Sequence, residues 1–276
     1  MQEWQEWLKP AIELAKEAGK EILKYFGAPA EKINVSRKRD NTFLTEADLC
    51  AQAIIGKGLK SLTPSIPILS EEDIIPPFVS RQKWSMHWLV DPLDGTRGFI
   101  QHSDEFTVNI ALVYKHQPVM GVVYTPVPRS CYFASKGEGA FKQIDDDTAV
   151  AIHTTPLDWS SYRVLLGQHL RSSDLPDALS RLPGCHVTRL NSSLKFCWLA
   201  EGKADIYPRF GDTSEWDTAA AQCVLEAAGG AVLDFTGEPL QYNARVSLVN
   251  PAFVAIGDLT QKTKIIELIQ QQRREK

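Results

Sequence analysis

Trp88-Leu89-Val90-Asp91-Pro92-Leu93-Asp94-Gly95-Thr96 is the stretch on which the reading of this chain turns. Its first residues, with His87, form a short apolar run of strand type. The run ends in a turn where two carboxylates, Asp91 and Asp94, flank a proline that fixes its own backbone angle. Gly95 then permits a tight bend. Such a turn can aim Asp91, Asp94 and the Leu93 carbonyl at one region. A ligand set made only of oxygen suits a hard cation such as Mg²⁺. Thr96 stands at the exit, where backbone N–H groups can face an anion. The plainer alternative is an Asp-Pro turn with a capping carboxylate.

Two other segments extend the pattern. Ile66 to Leu69 is a short strand that runs into Ser70-Glu71-Glu72-Asp73, and strand ends are where sites gather in α/β folds. Asp217 precedes an apolar helix over Thr218 to Ala228, where it could also serve only as a cap. Four carboxylates thus stand at strand ends or helix starts. No His or Cys accompanies them, which argues against zinc and for two-metal phosphoryl chemistry.

Around these segments, the spacing of Trp4, Leu8, Ile12, Ala15 and Ile22 predicts an opening helix, stopped at Gly27-Ala28-Pro29. Lys32, Arg37, Lys38 and Arg39 form a basic patch. Thr45-Glu46-Ala47-Asp48 leads a second helix to about Leu62, with Thr45 as its cap. Phe106 to Tyr114, Val119 to Tyr124 and Ser130 to Ala134 read as successive strands, with turns at Gln117-Pro118 and Pro126 to Arg129. Asp145-Asp146-Asp147 reads as a solvated loop. A domain boundary falls near 150 to 160, giving units 1–155 and 156–276. In the second unit strands alternate with helices, which predicts an α+β or α/β fold with a mixed or parallel sheet under helices.

With 276 residues, 43% hydrophobic and 23% charged, the chain is ordinary for a globular protein. A net charge of −4 offers no basic excess for a nucleic-acid polymer. No apolar run approaches the length of a membrane span. Met1 to Pro10 lacks the make-up of a signal peptide. The five scattered cysteines form no CxxC pair and read as reduced thiols, in keeping with a cytoplasmic protein.

Three motifs, Ser70 to Asp73, Trp88 to Thr96 and Glu215-Trp216-Asp217-Thr218-Ala219-Ala220-Ala221, resemble the signatures of the lithium-sensitive, Mg²⁺-dependent inositol monophosphatase superfamily. The likeness runs in order from about Ala11 to about Phe253. Glu105 to Leu112, Ser192 to Cys197, Ala200-Glu201-Gly202 and Tyr207 to Gly211 make it most like the bacterial 3'(2'),5'-bisphosphate nucleotidase branch. The resemblance implies a layered αβαβα sandwich. It implies a first Mg²⁺ on Glu71, Asp91 and the Leu93 carbonyl, a second on Asp91, Asp94 and Asp217, and a third, looser ion near Glu71. Thr96 and Asp48 would orient the attacking water, with Glu71 as the further catalytic residue. Substrate would meet Glu71, Leu93, Asp94, Gly95, Thr96, Asp217 and the second-half residues Ser192, Lys195 and Arg209, the last three facing the nucleotide and its uncleaved phosphate. The implied substrate is adenosine 3',5'-bisphosphate, the by-product of sulfate activation, cleaved to AMP by a monomer or homodimer. Peripheral contact with the inner membrane stays open.

Three departures touch the substrate rather than the metal. Phe43-Leu44-Thr45 replaces a proline before Val-Thr, Arg97-Gly98 replaces Lys-Glu, and the Ser-x-Ser-His element survives only as Gly167-Gln168-His169. An inositol or sugar phosphatase on the same scaffold therefore remains the alternative.

Overall fold

A computed structural model of the chain describes residues 3–29, 33–37, 43–168 and 183–274. The expected roles of Lys32, Lys38, Arg39 and His169 lie outside the described residues.

A 3-10 turn over Glu3–Trp7 leads into helix α1 (Leu8–Leu23), whose buried positions Ala11, Ile12, Ala15, Ala18 and Ile22 recur at helical spacing. Two short strands, β1 (Ser36–Arg37) and β2 (Phe43–Leu44), pair with each other ahead of helix α2 (Glu46–Leu62). A seven-stranded sheet follows. It holds β3 (Ile68–Ser70), β4 (Met86–Asp94), β5 (Thr107–Tyr114), β6 (Gln117–Thr125), β7 (Ser130–Ser135), β8 (Gly139–Ile144) and β9 (Val150–Ile152), in that spatial order. Only the β3–β4 pair is parallel. Short helices α3 (Phe78–Arg81) and α4 (Thr96–Ile100) flank β4 in the chain.

The second sheet has β10 (Tyr162–Leu166), β11 (Cys185–Arg189), β12 (Ile206–Arg209), β13 (Ala231–Asp234) and β14 (Phe253–Ile256), in the order β11-β10-β12-β14-β13. It is mixed, one of the two arrangements that the alternation of strands and helices leaves open: β10 runs parallel to β11 and β12, while β14 is antiparallel to β12 and β13. Helices α5 (Leu194–Ala200), α6 (Ala219–Ala227) and α7 (Lys262–Arg274) complete the described elements.

Alternation along the strands sorts the side chains into layers. Trp88 and Val90 of β4, with Val108, Ile110 and Leu112 of β5, pack under α1 and α2. Leu89, Ala111 and Val113 point to the other face, where α5 and α6 lie between the two sheets. Beyond the second sheet, Ile265, Ile266 and Ile269 of α7 cover Val164, Leu166, Val254 and Ile256. The order of layers is helix, sheet, helix, sheet, helix, as the resemblance implies.

Several details differ from the sequence reading, among them helix α7 and strands β1 and β2, which it did not name. The β5–β6 turn is Lys115-His116, both at positive φ (48° and 65°), and Gln117-Pro118 already belongs to β6. Pro118 is tolerated there because the ladder is irregular between Leu112 and Val113. Strands β8, β9 and β11 carry little apolar alternation and were not expected; β11 is largely exposed, so pairing rather than burial defines it.

The middle layer approaches the first sheet closely at Gly121 of β6. A Cβ there would stand 2.2 Å from the Ala220 carbonyl oxygen of α6. Gly121→Ala must push that helix away, and overpacking of this kind costs about 1–3 kcal/mol. Urea unfolding of the variant should show that loss.

Candidate active site

The sheet alternation that buries Trp88 and Val90 under α2 turns Asp91 to the opposite face, toward the middle helices. Asp91 is 1% exposed and stands opposite Asn109 of β5 in the ladder. The ladder then breaks. A register shift between Asp91 and Asp94 brings Asp94 opposite Thr107, and the Asp91 carboxylate accepts the Leu93 N–H at 3.0 Å. Gly95 closes the turn at φ 95°, in the left-handed region that suits glycine.

Glu71 arrives from the neighbouring strand. Its N–H donates to the Val90 carbonyl at 3.2 Å, extending the β3–β4 pairing by one bond. Asp217 arrives from the second half, in a 3-10 turn over Glu215–Asp217 just before α6. It accepts the Ser214 N–H at 2.9 Å, so it caps its turn while standing among the converging carboxylates. One carboxylate oxygen each from Glu71, Asp91 and Asp217 lie within 4.8 Å of one another.

The surroundings hold these like charges together. The loop over residues 242–250 clasps the Asp217 turn: Glu215 N–H donates to the Leu248 carbonyl at 2.8 Å, Asn243 N–H to the Glu215 carboxylate at 2.6 Å, and the Asn250 amide to the Ser214 carbonyl at 2.9 Å. Buried Arg81 of α3 fastens that loop to the first half, donating to the Asn243 side chain at 2.5 Å and to the carbonyls of Arg245 and Val246.

Asp94 sits at the edge of the trio. It accepts the Ser193 N–H at 2.5 Å and the Thr107 hydroxyl at 3.5 Å. Burial pushes its carboxyl above the usual range, while the Lys195 charge and the Ser193 N–H pull the other way. For Asp91 and Asp217 burial acts first and the neighbouring carboxylates add to it, so both lie well above the ordinary value.

Asp48, 1% exposed, unites two expectations for its segment. One oxygen accepts the N–H and hydroxyl of Thr45 at 2.8 and 2.5 Å, forming the helix cap. The other lies 3.3 Å from the Thr96 hydroxyl, which is also 3.1 Å from the Leu93 carbonyl.

A cleft of about 120 Å³ opens beside Asp94 and Asp217, and Ser192, Lys195 and Arg209 line it. Lys195 is 4% exposed and donates to the Leu190 and Ser192 carbonyls at 3.1 and 2.6 Å. Burial lowers its pKa to about 8, against the pull of Asp94. Arg209 donates to the Gly211 and Asp212 carbonyls at 3.2 and 2.6 Å. Both cations are thus set in place by backbone carbonyls of their own loops.

Sequence reasoning did not assign Thr107, Asn109, Ser193, Arg81 or Asn243. The Ser193 hydroxyl lies 2.8 Å from both Asn109 and Thr107. A buried Asn inside the apolar run of β5 is a signal that could have been read. Arg81 gives none, since its partners lie more than 160 positions away.

The donor set fits a hard divalent cation: oxygen atoms only, with three converging carboxylates. A five-layer αβαβα sandwich with such a site where the first sheet meets the middle helices defines a hydrolase of the metal-dependent phosphatase class. The chain belongs to the inositol monophosphatase family, whose profile matches residues 3–274. It is 43% identical to the 3'(2'),5'-bisphosphate nucleotidase CysQ of Salmonella typhimurium, over 89% of this chain and 98% of that protein. Against CysQ of Escherichia coli strain K12 the identity is 42%, with the same coverage. Among solved structures, CysQ from Bacteroides thetaiotaomicron superposes with a TM-score of 0.80 at 36% identity, over 92% of this chain and 98% of that one. A Thermotoga maritima IMPase superposes at 0.81 with 22% identity, over 98% and 99% of the two chains, a likeness of fold.

The raised values have a sign. Asp91, Asp94 and Asp217 titrate above their unfolded values, so without a cation they favour the folded chain while protonated. That contribution is complete below the unfolded pKa and is lost as pH rises through the folded one. A bound cation takes the protons' place. The gain in Tm on adding Mg²⁺ should therefore be larger at about pH 8 than at about pH 5. Calorimetry of the chelator-treated protein with and without Mg²⁺ measures it.

Proposed function

We propose that the chain is a Mg²⁺-dependent phosphomonoesterase, a 3'(2'),5'-bisphosphate nucleotidase that takes adenosine 3',5'-bisphosphate to AMP and phosphate. The observation that carries this reading is the convergence of the Glu71, Asp91 and Asp217 carboxylates, with Asp94 beside them, from three distant segments. The identity with the CysQ nucleotidases across nearly their whole length supports the substrate.

In this reading Glu71, Asp91 and the Leu93 carbonyl hold one ion, and Asp91, Asp94 and Asp217 a second, with a third near Glu71. When bound, the ions neutralise the phosphate dianion, acidify a water and stabilise the departing alkoxide. The chain supplies the rest. The Thr96 hydroxyl, donating to Asp48, presents its lone pairs to the attacking water, and the Asp48 carboxylate receives the proton passed through Thr96. The N–H groups after Gly95 face the phosphate. Taking the chain as two units, 1–155 and 156–276, the first brings the water-orienting pair and the second brings Asp217 and the cleft that selects the substrate.

Ser192, Lys195 and Arg209 face the nucleotide and its uncleaved phosphate in this proposal. Lys195 and Arg209 are anchored before substrate arrives, so little side-chain entropy is lost on binding. A substrate panel tests the whole reading: adenosine 3',5'-bisphosphate, inositol 1-phosphate and fructose 1,6-bisphosphate with Mg²⁺. Preference for either sugar phosphate would overturn the nucleotidase assignment.

Three outcomes are expected of variants and chelation. Phosphate release stops in excess chelator and returns with Mg²⁺, and Asp217→Asn abolishes turnover while its circular dichroism spectrum matches the wild type. Arg209→Ala loses about 10- to 150-fold in kcat/KM on adenosine 3',5'-bisphosphate, the value of one charge-assisted bond to phosphate. On adenosine 3'-monophosphate it loses little, and steady-state kinetics on the two substrates separates the cases.

A further inference from the structure

Helix α2 presents Asp48 and Gln52 four residues apart, on one face. Asp48 reaches Thr96. Gln52 reaches the turn that carries Glu71. The Ser70 hydroxyl donates to Gln52 Oε1 at 2.7 Å, and Gln52 Nε2 donates to the Asp73 carboxylate at 2.8 Å. A single amide therefore grips both ends of Ser70-Glu71-Glu72-Asp73. The Asp73 N–H closes the same turn on the Ser70 carbonyl at 3.3 Å. The orientation of the amide is forced, because an ionised carboxylate only accepts and so must face the NH₂ end.

The grip matters because of where the turn sits. β3 has three residues and lies at the edge of the seven-stranded sheet, paired on one side only with β4. Among the described residues no strand holds the outer side of the Glu71 turn. Ser70 is fully buried, whereas Asp73 is exposed, so losing Gln52 takes the side-chain bond from the outer end and leaves there the Asp73 N–H bond to Ser70. A carboxylate that must stand beside two others needs its turn restrained against their repulsion.

We infer that Gln52 is a positioning residue that sets the Glu71 carboxylate for the cation, so that one face of α2 registers both the Asp48–Thr96 pair and the Glu71 turn. The inference rests on the metal-dependent reading above. A mere tie between helix and sheet edge would change stability and leave cation affinity alone.

Mn²⁺ titration of the full-length, chelator-treated protein, followed by the electron paramagnetic resonance signal of the free ion, tests it without recourse to activity. Gln52→Leu removes both bonds at nearly constant volume and should bind Mn²⁺ about tenfold more weakly, the size of effect seen when partners of a ligand are lost. The double variant Gln52→Glu with Asp73→Asn keeps the net charge and reverses the sense of the outer bond, the new amide donating to the new carboxylate. It should bind within about threefold of wild type, since paired changes at contacting residues compensate. Wild-type affinity in Gln52→Leu, or a double variant as weak as Gln52→Leu, overturns the inference. If Gln52→Leu does not melt cooperatively, the double variant decides alone, and a loss of about tenfold or more there overturns it. A wild-type protein that takes up no Mn²⁺ overturns the metal reading itself and the positioning role with it.

Discussion

Negative charges repel, and this chain gathers Glu71, Asp91, Asp94 and Asp217 at one place; the rest of the structure is arranged to keep them there. Confining like charges in a low-dielectric setting is unfavourable unless backbone and hydrogen bonds fix each one. The recurring device is to commit one oxygen of a carboxylate to a backbone N–H. Asp91 accepts from Leu93, Asp94 from Ser193 and Asp217 from Ser214. Asp48 does the same with Thr45 while its second oxygen meets Thr96. One carboxylate can thus cap a turn and still face the candidate site, so the cap and the site readings that the sequence posed do not exclude each other.

The layers supply the second half of the confinement. Because side chains alternate along β4 and β5, the same strands give Trp88 and Val90 to the outer helices and Asp91 to the middle layer. The middle helices can meet that face closely only because β6 offers Gly121 opposite Ala220. The Arg81–Asn243 contact then ties the loop around Asp217 back to the first half. Contacts across this range of the chain carry no local signature.

Much of this was legible in the sequence because it depends on local chemistry. Helical spacing marked α1, the Thr45 to Asp48 pattern marked the start of α2, and the Asp91 to Thr96 turn announced its own geometry through a proline and a glycine. Strands β8, β9 and β11 were missed because exposed or half-exposed strands lack the alternation that betrays a buried face. The turn placed at Gln117-Pro118 moved to Lys115-His116 because a bulge lets a proline enter the strand, and no proline rule foresees a bulge.

What the sequence determined by itself was the set of turns and helix starts that carry the carboxylates, together with the family, since both reside in short ordered motifs. What only the tertiary structure decided was which residues hold those motifs at working distance. The Ser193 N–H on Asp94, the Arg81 side chain on the Asp217 loop and the Gln52 side chain on the Glu71 turn are single polar groups whose local sequence names no partner. Their roles come from partners 18 to more than 160 residues away, and a contact of that range is fixed by how sheets and helices stack, not by the neighbours a residue has along the chain.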